Sequence, residues 1–215
     1  MTSDEQKRRA GVGRERRART RAKIVAAAFE LFGSEEGLFT RIEDIAALAG
    51  VTRATFYNHF SNMAELREAV SYEVTHDFLQ AVNATTSRLA DPRERATTGI
   101  RLYLRRAREN QRWAWSMVNI SANGTVFGAE TYRQAELTVV EAMDAGLLQL
   151  RNSALGRDMV LGTTLAGVVA LLRGEADPDY PELVAGHILL GMGVPFDTAR
   201  EIANRPLPPL AQSQV

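Results

Sequence analysis

Apolar side chains return every three or four positions along most of this chain, and no stretch alternates apolar and polar residues over a strand's length. That spacing gathers apolar groups on one helical face, so the pattern predicts an all-α fold. Ile24, Ala28, Leu31 and Phe32 share a face of a first helix over 18–33, ended near Gly33 and Gly37. Ile42, Ile45, Ala46 and Ala49 stripe a short second helix, for which Thr40 as N-cap and Glu43 three residues on form a capping box. Gly50 permits the left-handed backbone that ends a helix, and Thr52 caps a third one. In that helix Phe56 and Phe60 point inward, while Arg53, Thr55, Tyr57, Asn58 and His59 point outward. The pair reads as a helix-turn-helix.

Downstream, Leu66, Val70, Val74, Phe78 and Val82 step by four along a helix that starts after Ser61 or Asn62 and runs toward Leu89. Asp91 and Pro92 mark a break. Further helices are predicted over 97–120, 130–149, 154–173, 182–192 and 197–204, with a loop over 121–128 and a break at 174–181. The domains that follow are a basic flexible arm over 1–17, a helix-turn-helix DNA-binding domain over 18–64, a helical body over 65–204 and a proline-bearing flexible tail over 205–215.

Charge sharpens this picture only locally. The chain has 215 residues, 45% of them hydrophobic, and a formal net charge of zero. Yet Lys7, Arg8, Arg9, Arg14, Arg16, Arg17, Arg19, Arg21 and Lys23 stand against only Asp4, Glu5 and Glu15 in the first 25 residues. Nine basic less three acidic groups leave plus six there, so the other 190 residues carry minus six. Such a run also suits a solvated tail, but here it precedes a motif for which phosphate attraction is useful. The third helix carries no carboxylate. Its Arg53 and Asn58 are the side chains suited to base edges, because Arg pairs with guanine O6/N7 and Asn with adenine N6/N7.

Other chemistries find no support. There is no cysteine, no HExxH, no phosphate-binding GxxxxGK[ST], and no GxGxxG after a strand. His59, His76 and His187 are scattered without acidic neighbours at metal spacing. Neither catalysis, a metal nor a cofactor is expected. The N-terminus lacks an apolar signal core. The apolar run from Met159 to Leu172, interrupted by Gly162, Thr163, Thr164 and Gly167, is short for a bilayer and reads as a buried helix. These features predict a soluble, cytoplasmic protein.

The run Ile24-Val-Ala-Ala-Ala-Phe-Glu-Leu-Phe32, with Gly37, Ile45-Ala46, Ala49-Gly50-Val51, Thr55-Phe56-Tyr57 and His59-Phe60, resembles the N-terminal domain of TetR-family transcriptional regulators over residues 18–70. The resemblance implies a homodimer, a three-helix DNA-binding head, and a helical body that dimerises and often holds a small ligand. Carried over by position, it implies DNA contacts from Thr40 and Arg41 at the start of the motif's first helix, from Thr52 and Thr55 at the start of the recognition helix, and from Tyr57 and His59 at its far end. Arg53 and Asn58 would read bases, with Arg21 of the basic segment beside them. This chain departs from the pattern twice: Arg41 replaces a second threonine, and Met63 replaces a lysine that grips the DNA backbone.

In the body, Tyr103, Trp113, Trp115, Met117, Phe127 and Tyr132 are candidates to line a pocket for an apolar or aromatic effector, or simply core. Leu161, Leu165, Val168, Leu172, Val184 and Ile188 supply apolar area for a four-helix dimer interface, with glycines at 162, 167, 186 and 191 allowing close approach. The expected function is a repressor released from a pseudo-palindromic duplex DNA operator by a small ligand. The alternative is a constitutive or architectural DNA-binding protein without an effector, whose body would be packed solid.

Overall fold

The computed structural model describes residues 3–122, 124 and 126–211, with side chains from residue 11 onward. Every regular element among them is helical. The head comprises α1 (Ser3–Phe32), a short 3-10 turn (Glu35–Phe39), α2 (Ile42–Ala49) and α3 (Arg53–Tyr57). Its core is the predicted one: Ile24, Ala28, Phe32, Ile45, Phe56 and Phe60 are fully buried, and Leu66 joins them from the next helix. Each of the larger of these side chains stabilises the fold by about 1.5–3 kcal/mol relative to exposure. Gly50 ends α2 at φ 67, in the left-handed region, and lets the Val51 amide donate back to the Ala46 carbonyl at 2.9 Å.

Three expectations for the head change. The helix predicted from residue 18 begins at Ser3, so the segment read as an arm over 1–17 continues α1; residues 1 and 2 lie outside the described residues. Apolar periodicity missed this because residues 12–17 are exposed and carry no apolar stripe, while the Arg, Lys, Glu, Gln and Ala content upstream favours helix. At α2 the N-cap is Arg41, not Thr40, and the Asp44 carboxylate, not Glu43, accepts the Arg41 amide at 3.0 Å. Finally, α3 is a single turn and a half, with Asn58 at its C-cap rather than within it.

The body contains α4 (Met63–Thr86), α5 (Pro92–Glu109), α6 (Gln111–Ser121), α7 (Ala129–Asp144), α8 (Ser153–Leu172), α9 (Tyr180–Gly191) and α10 (Phe196–Ala203). At its centre lies α5, packed against α4, α6, α7, α8, α9 and α10. Its one deeply buried charge, Arg101, is satisfied by Glu182 at 2.8 Å and by the Arg205 carbonyl at 2.8 Å. Arg105, Arg106, Arg108 and Arg112 are exposed to solvent. Gly167 lets α8 pack closely on α5, since a Cβ there would meet Leu104 at 2.9 Å.

Two body expectations are corrected. The single helix predicted over 97–120 is two, because Asn110 ends α5 and caps α6 by accepting the Trp113 amide at 2.9 Å. The tail over 205–215 is held as far as it is described: Arg205 bridges Glu94 and Glu201, Leu207 packs on the core, and the Ala211 amide donates to Thr85 at 2.8 Å. Residues 212–215 lie outside the described residues. Helix α8 is 20 residues long, beyond the shorter apolar run read from sequence, and would meet a membrane span's requirements by length and composition. It instead packs against α5, α6, α7 and α9.

Candidate nucleic-acid interface and body cleft

Thr52 organises the exposed end of the head. Its hydroxyl accepts the Thr55 amide at 3.0 Å and shares a 2.9 Å hydrogen bond with the Thr55 hydroxyl, so both oxygens sit at the α3 N-terminus. Arg53, the first residue of the helix, projects into solvent and forms a 2.8 Å ion pair with Glu43 of α2. It also stands over the Tyr57 ring at 5.7 Å. Its hydrogen bond to the Tyr57 hydroxyl oxygen and the charge of Glu43 both push the guanidinium pKa up. The carboxylate-free helix is thus answered by a carboxylate on its neighbour, which spacing within one helix could not reveal. Both partners are solvent-exposed, so the pair is weak and can open toward another acceptor.

Arg41, Tyr57 and Asn58 are exposed on this end, Thr55 and His59 half-buried, and Thr40 half-buried at the end of the 3-10 turn. Asn58 lies beyond the last helical residue, so Arg53 has the better approach for reading a base edge; the N-terminal residues of a recognition helix are those that reach bases. Arg21 lies over the Phe60 ring at 5.0 Å. Arg17, absent from the sequence-based candidates, donates to the Asn58 carbonyl at 2.8 Å and so ties α1 to the end of α3. Burial first, then Arg17 and Arg21, push the His59 imidazole below its usual range and keep it neutral. Met63 packs partly against the core, so no cation replaces the missing lysine at that point.

The head is fastened to the body at two places. Helix α4 begins under it, with Asn62 accepting the Glu65 amide at 2.9 Å and Leu66 and Val70 in its core. Helix α6 grips the end of α1: Asn119 donates to the Phe32 and Ser34 carbonyls at 2.9 and 2.8 Å, and Arg112 pairs with Glu30 at 2.7 Å.

Further along, α4 forms one wall of a cleft closed by α5, α7 and α8, holding about 620 Å³ of space with its mouth included. Leu79, Val82, Ile100 and Val139 supply apolar walls, and Asn83, Arg95, Gln134, Thr138 and Thr164 polar ones. Of the six sequence candidates, Tyr103 and Phe127 line it. Tyr103 bonds Thr131 at 2.9 Å, and burial pushes its phenol far above its ordinary range, so it stays protonated. Phe127 is held at φ 59, an uncommon left-handed backbone for a bulky residue, with its amide donating to Ser121 at 3.2 Å. Trp113 and Met117 are core instead; Trp113 packs edge-on to Phe78 at 5.5 Å. Half-buried Trp115 and Tyr132 do not line the cleft, and Tyr132 lies under Arg157 at 4.0 Å. Periodicity identifies buried aromatics, but which of them border space depends on the angles between helices.

The dimer candidates are corrected in the same way. Leu161, Val168, Val184 and Ile188 are buried within the chain itself, and Leu165 and Leu172 are half-buried. The glycines at 167 and 186 also face inward, toward α5 and α10. Gly162, Thr163 and Ala166 of α8 instead share an exposed face with Leu155, while Leu183, His187 and Gly191 are exposed on α9.

Residues 24–70 match the family model of bacterial regulatory proteins of the tetR family, and residues 91–205 that of the tetracyclin repressor-like C-terminal domain. The chain is 44% identical over 75 residues to the probable HTH-type transcriptional regulator ArpR of Pseudomonas putida, 34% of this chain and 35% of that protein. It is 48% identical over 62 residues to the HTH-type transcriptional regulator TtgR, also of Pseudomonas putida, 28% of this chain and 30% of that one. The alignable stretch therefore spans about a third of these curated relatives. Among solved structures, RolR in complex with resorcinol shares the fold at TM-score 0.73 and 24% identity, over 92% of this chain and 99% of that one. FadR of Bacillus subtilis in complex with stearoyl-CoA shares it at TM-score 0.57 and 16% identity, over 80% of this chain and 96% of that one.

Proposed function

The chain belongs to the TetR family of bacterial regulators, DNA-binding transcription factors rather than enzymes, and from that premise we propose a repressor released from its operator by a small apolar or aromatic ligand. The observation that carries the DNA half is Arg53, at the first position of an exposed, threonine-capped α3 that contains no carboxylate. Thr40, Arg41, Thr52, Thr55, Tyr57 and His59 hold the phosphates around it, with Arg17 and Arg21 alongside. Arg53 exchanges Glu43 for a base edge, and Asn58 reads beside it from the helix end.

Two such heads, related by a two-fold axis, enter successive major grooves of a pseudo-palindromic site in the cytoplasm. The exposed apolar face of α8 and α9 pairs the subunits: small residues at 162 and 166 let helices approach, and Leu155 and Leu183 add area. The ligand enters the cleft beside α4. Because Leu79 and Val82 line that cleft while Leu66 and Val70 lie in the head's core, a guest that shifts α4 also shifts the head. A coupling of only ~1–3 kcal/mol is enough for release. That the fold neighbours RolR and FadR are found in complex with resorcinol and stearoyl-CoA supports a small-molecule ligand here. The constitutive or architectural alternative calls for a solid body, and the cleft speaks against it.

The test is selection of bound sequences from a random duplex pool, followed by small-molecule screening for release of the selected operator. Recovery of two-fold-related half-sites, with at least one compound that dissociates the complex, is expected. Sequence-independent binding that no compound reverses would return the protein to the architectural reading.

A further inference from the structure

We propose that the cleft between α4, α5, α7 and α8 selects a neutral guest with an apolar body and hydroxyl donors, and discriminates against carboxylates. The inference rests on the reading of this cleft as the ligand site and goes on to specify the guest's chemistry. Charge comes first. Arg95 is the one ionisable side chain charged at neutral pH among the cleft's lining residues, and it is committed: it donates to the Leu89 carbonyl at 3.0 Å and pairs with Glu141. A guest anion finds no uncommitted cation, and a guest ammonium finds no carboxylate on the lining. Burying either unpaired is unfavourable.

Hydrogen-bond capacity gives the second half. The Thr164 hydroxyl donates its hydrogen to the Val160 carbonyl at 2.6 Å, and that of Thr138 donates to the Gln134 carbonyl at 3.0 Å. A threonine hydroxyl has one hydrogen, so toward a guest both can only accept. The side-chain amides of Asn83 and Gln134, half-buried on facing helices, have no hydrogen-bond partner among the described residues and add two more carbonyl acceptors. Donors are present too, namely the N–H of those two amides, the Arg95 N–H not spent on Leu89 or Glu141, and the one hydroxyl hydrogen left over from the Tyr103–Thr131 pair, but the Thr138 and Thr164 oxygens are acceptors with no hydrogen of their own to offer. Acceptors that have already given their hydrogens call for O–H on the guest, between the walls of Leu79, Val82 and Ile100.

The test titrates the full-length protein by calorimetry with phenol and hydroquinone, with their methyl ethers anisole and para-dimethoxybenzene, and with benzoate, and follows release of the selected operator in parallel. The phenols should bind roughly tenfold or more tightly than the ethers, because an ether leaves buried acceptors unanswered. Benzoate should bind weakest, and Glu141→Gln, which leaves Arg95 without its carboxylate, should improve benzoate and leave phenol unchanged. Thr164→Val and, independently, Thr138→Val should weaken hydroquinone while sparing its ether, with helicity checked by circular dichroism. Ethers or benzoate that match the phenols would overturn the proposal, as would phenols that do not bind. Phenols that bind without dissociating the operator would keep the selectivity and sink the release mechanism; ethers that bind and dissociate it would do the reverse.

Discussion

At the residue scale, the proposed DNA interface depends on Arg53 being free to leave Glu43. Both ends of that pair are more than half exposed, at 63% and 53%, so water already weakens it. Arg53→Ala should therefore change folding stability little, yet cost about 1–3 kcal/mol in operator binding and relax preference at one base. Electrophoretic mobility shifts over a set of single-base operator variants would check this. Unchanged affinity and preference would remove Arg53 from base reading. Met63→Lys, which adds a cation at the first residue of α4, should strengthen binding at low salt and do so less at high salt. His59 adds an acid sensitivity. Its imidazole is held below its unfolded value, so the unfolded chain takes up a proton first, and stability is lost as pH falls through the ordinary histidine range. Urea midpoints measured above and below that range should show His59→Gln losing less on acidification than the parent chain.

At the element scale, capping residues decided more than periodicity did. Gly50, Thr52 and the Asp91-Pro92 break were legible because their chemistry is local. Asn110 was not: it ends one helix and caps the next within a polar run, where nothing apolar marks the change of axis. Gly50→Ala should destabilise the head by about 1 kcal/mol, because alanine at φ 67 is strained, and thermal melts would show it. The two faces of α8 make a sharper contrast. Ala166→Arg, on the exposed face, should leave helicity intact but give monomers by light scattering, with loss of two-site DNA binding. Leu161→Ala, on the buried face, should lower stability by about 2–5 kcal/mol and leave assembly of the folded protein unaltered. Dimers that survive Ala166→Arg would move the interface elsewhere.

At the scale of the whole molecule, zero net charge conceals a division between a basic α1 and an acidic remainder. Removing residues 1–17 takes away six basic groups. Each phosphate that the shortened chain no longer neutralises should make the slope of log affinity against log salt shallower by about 0.9. An unchanged slope would mean that this half of α1 never meets DNA. The sequence by itself determined the helical class, the core of the head and the identity of the outward side chains on α3, because those follow from residue spacing and from caps acting within a few positions. Only the tertiary structure decided that Glu43 answers Arg53, that Tyr103 and Phe127 border space while Trp113 fills it, and which side of α8 is left bare. Those outcomes depend on how helices distant in sequence cross, and an angle between two axes is written in neither of their periodicities.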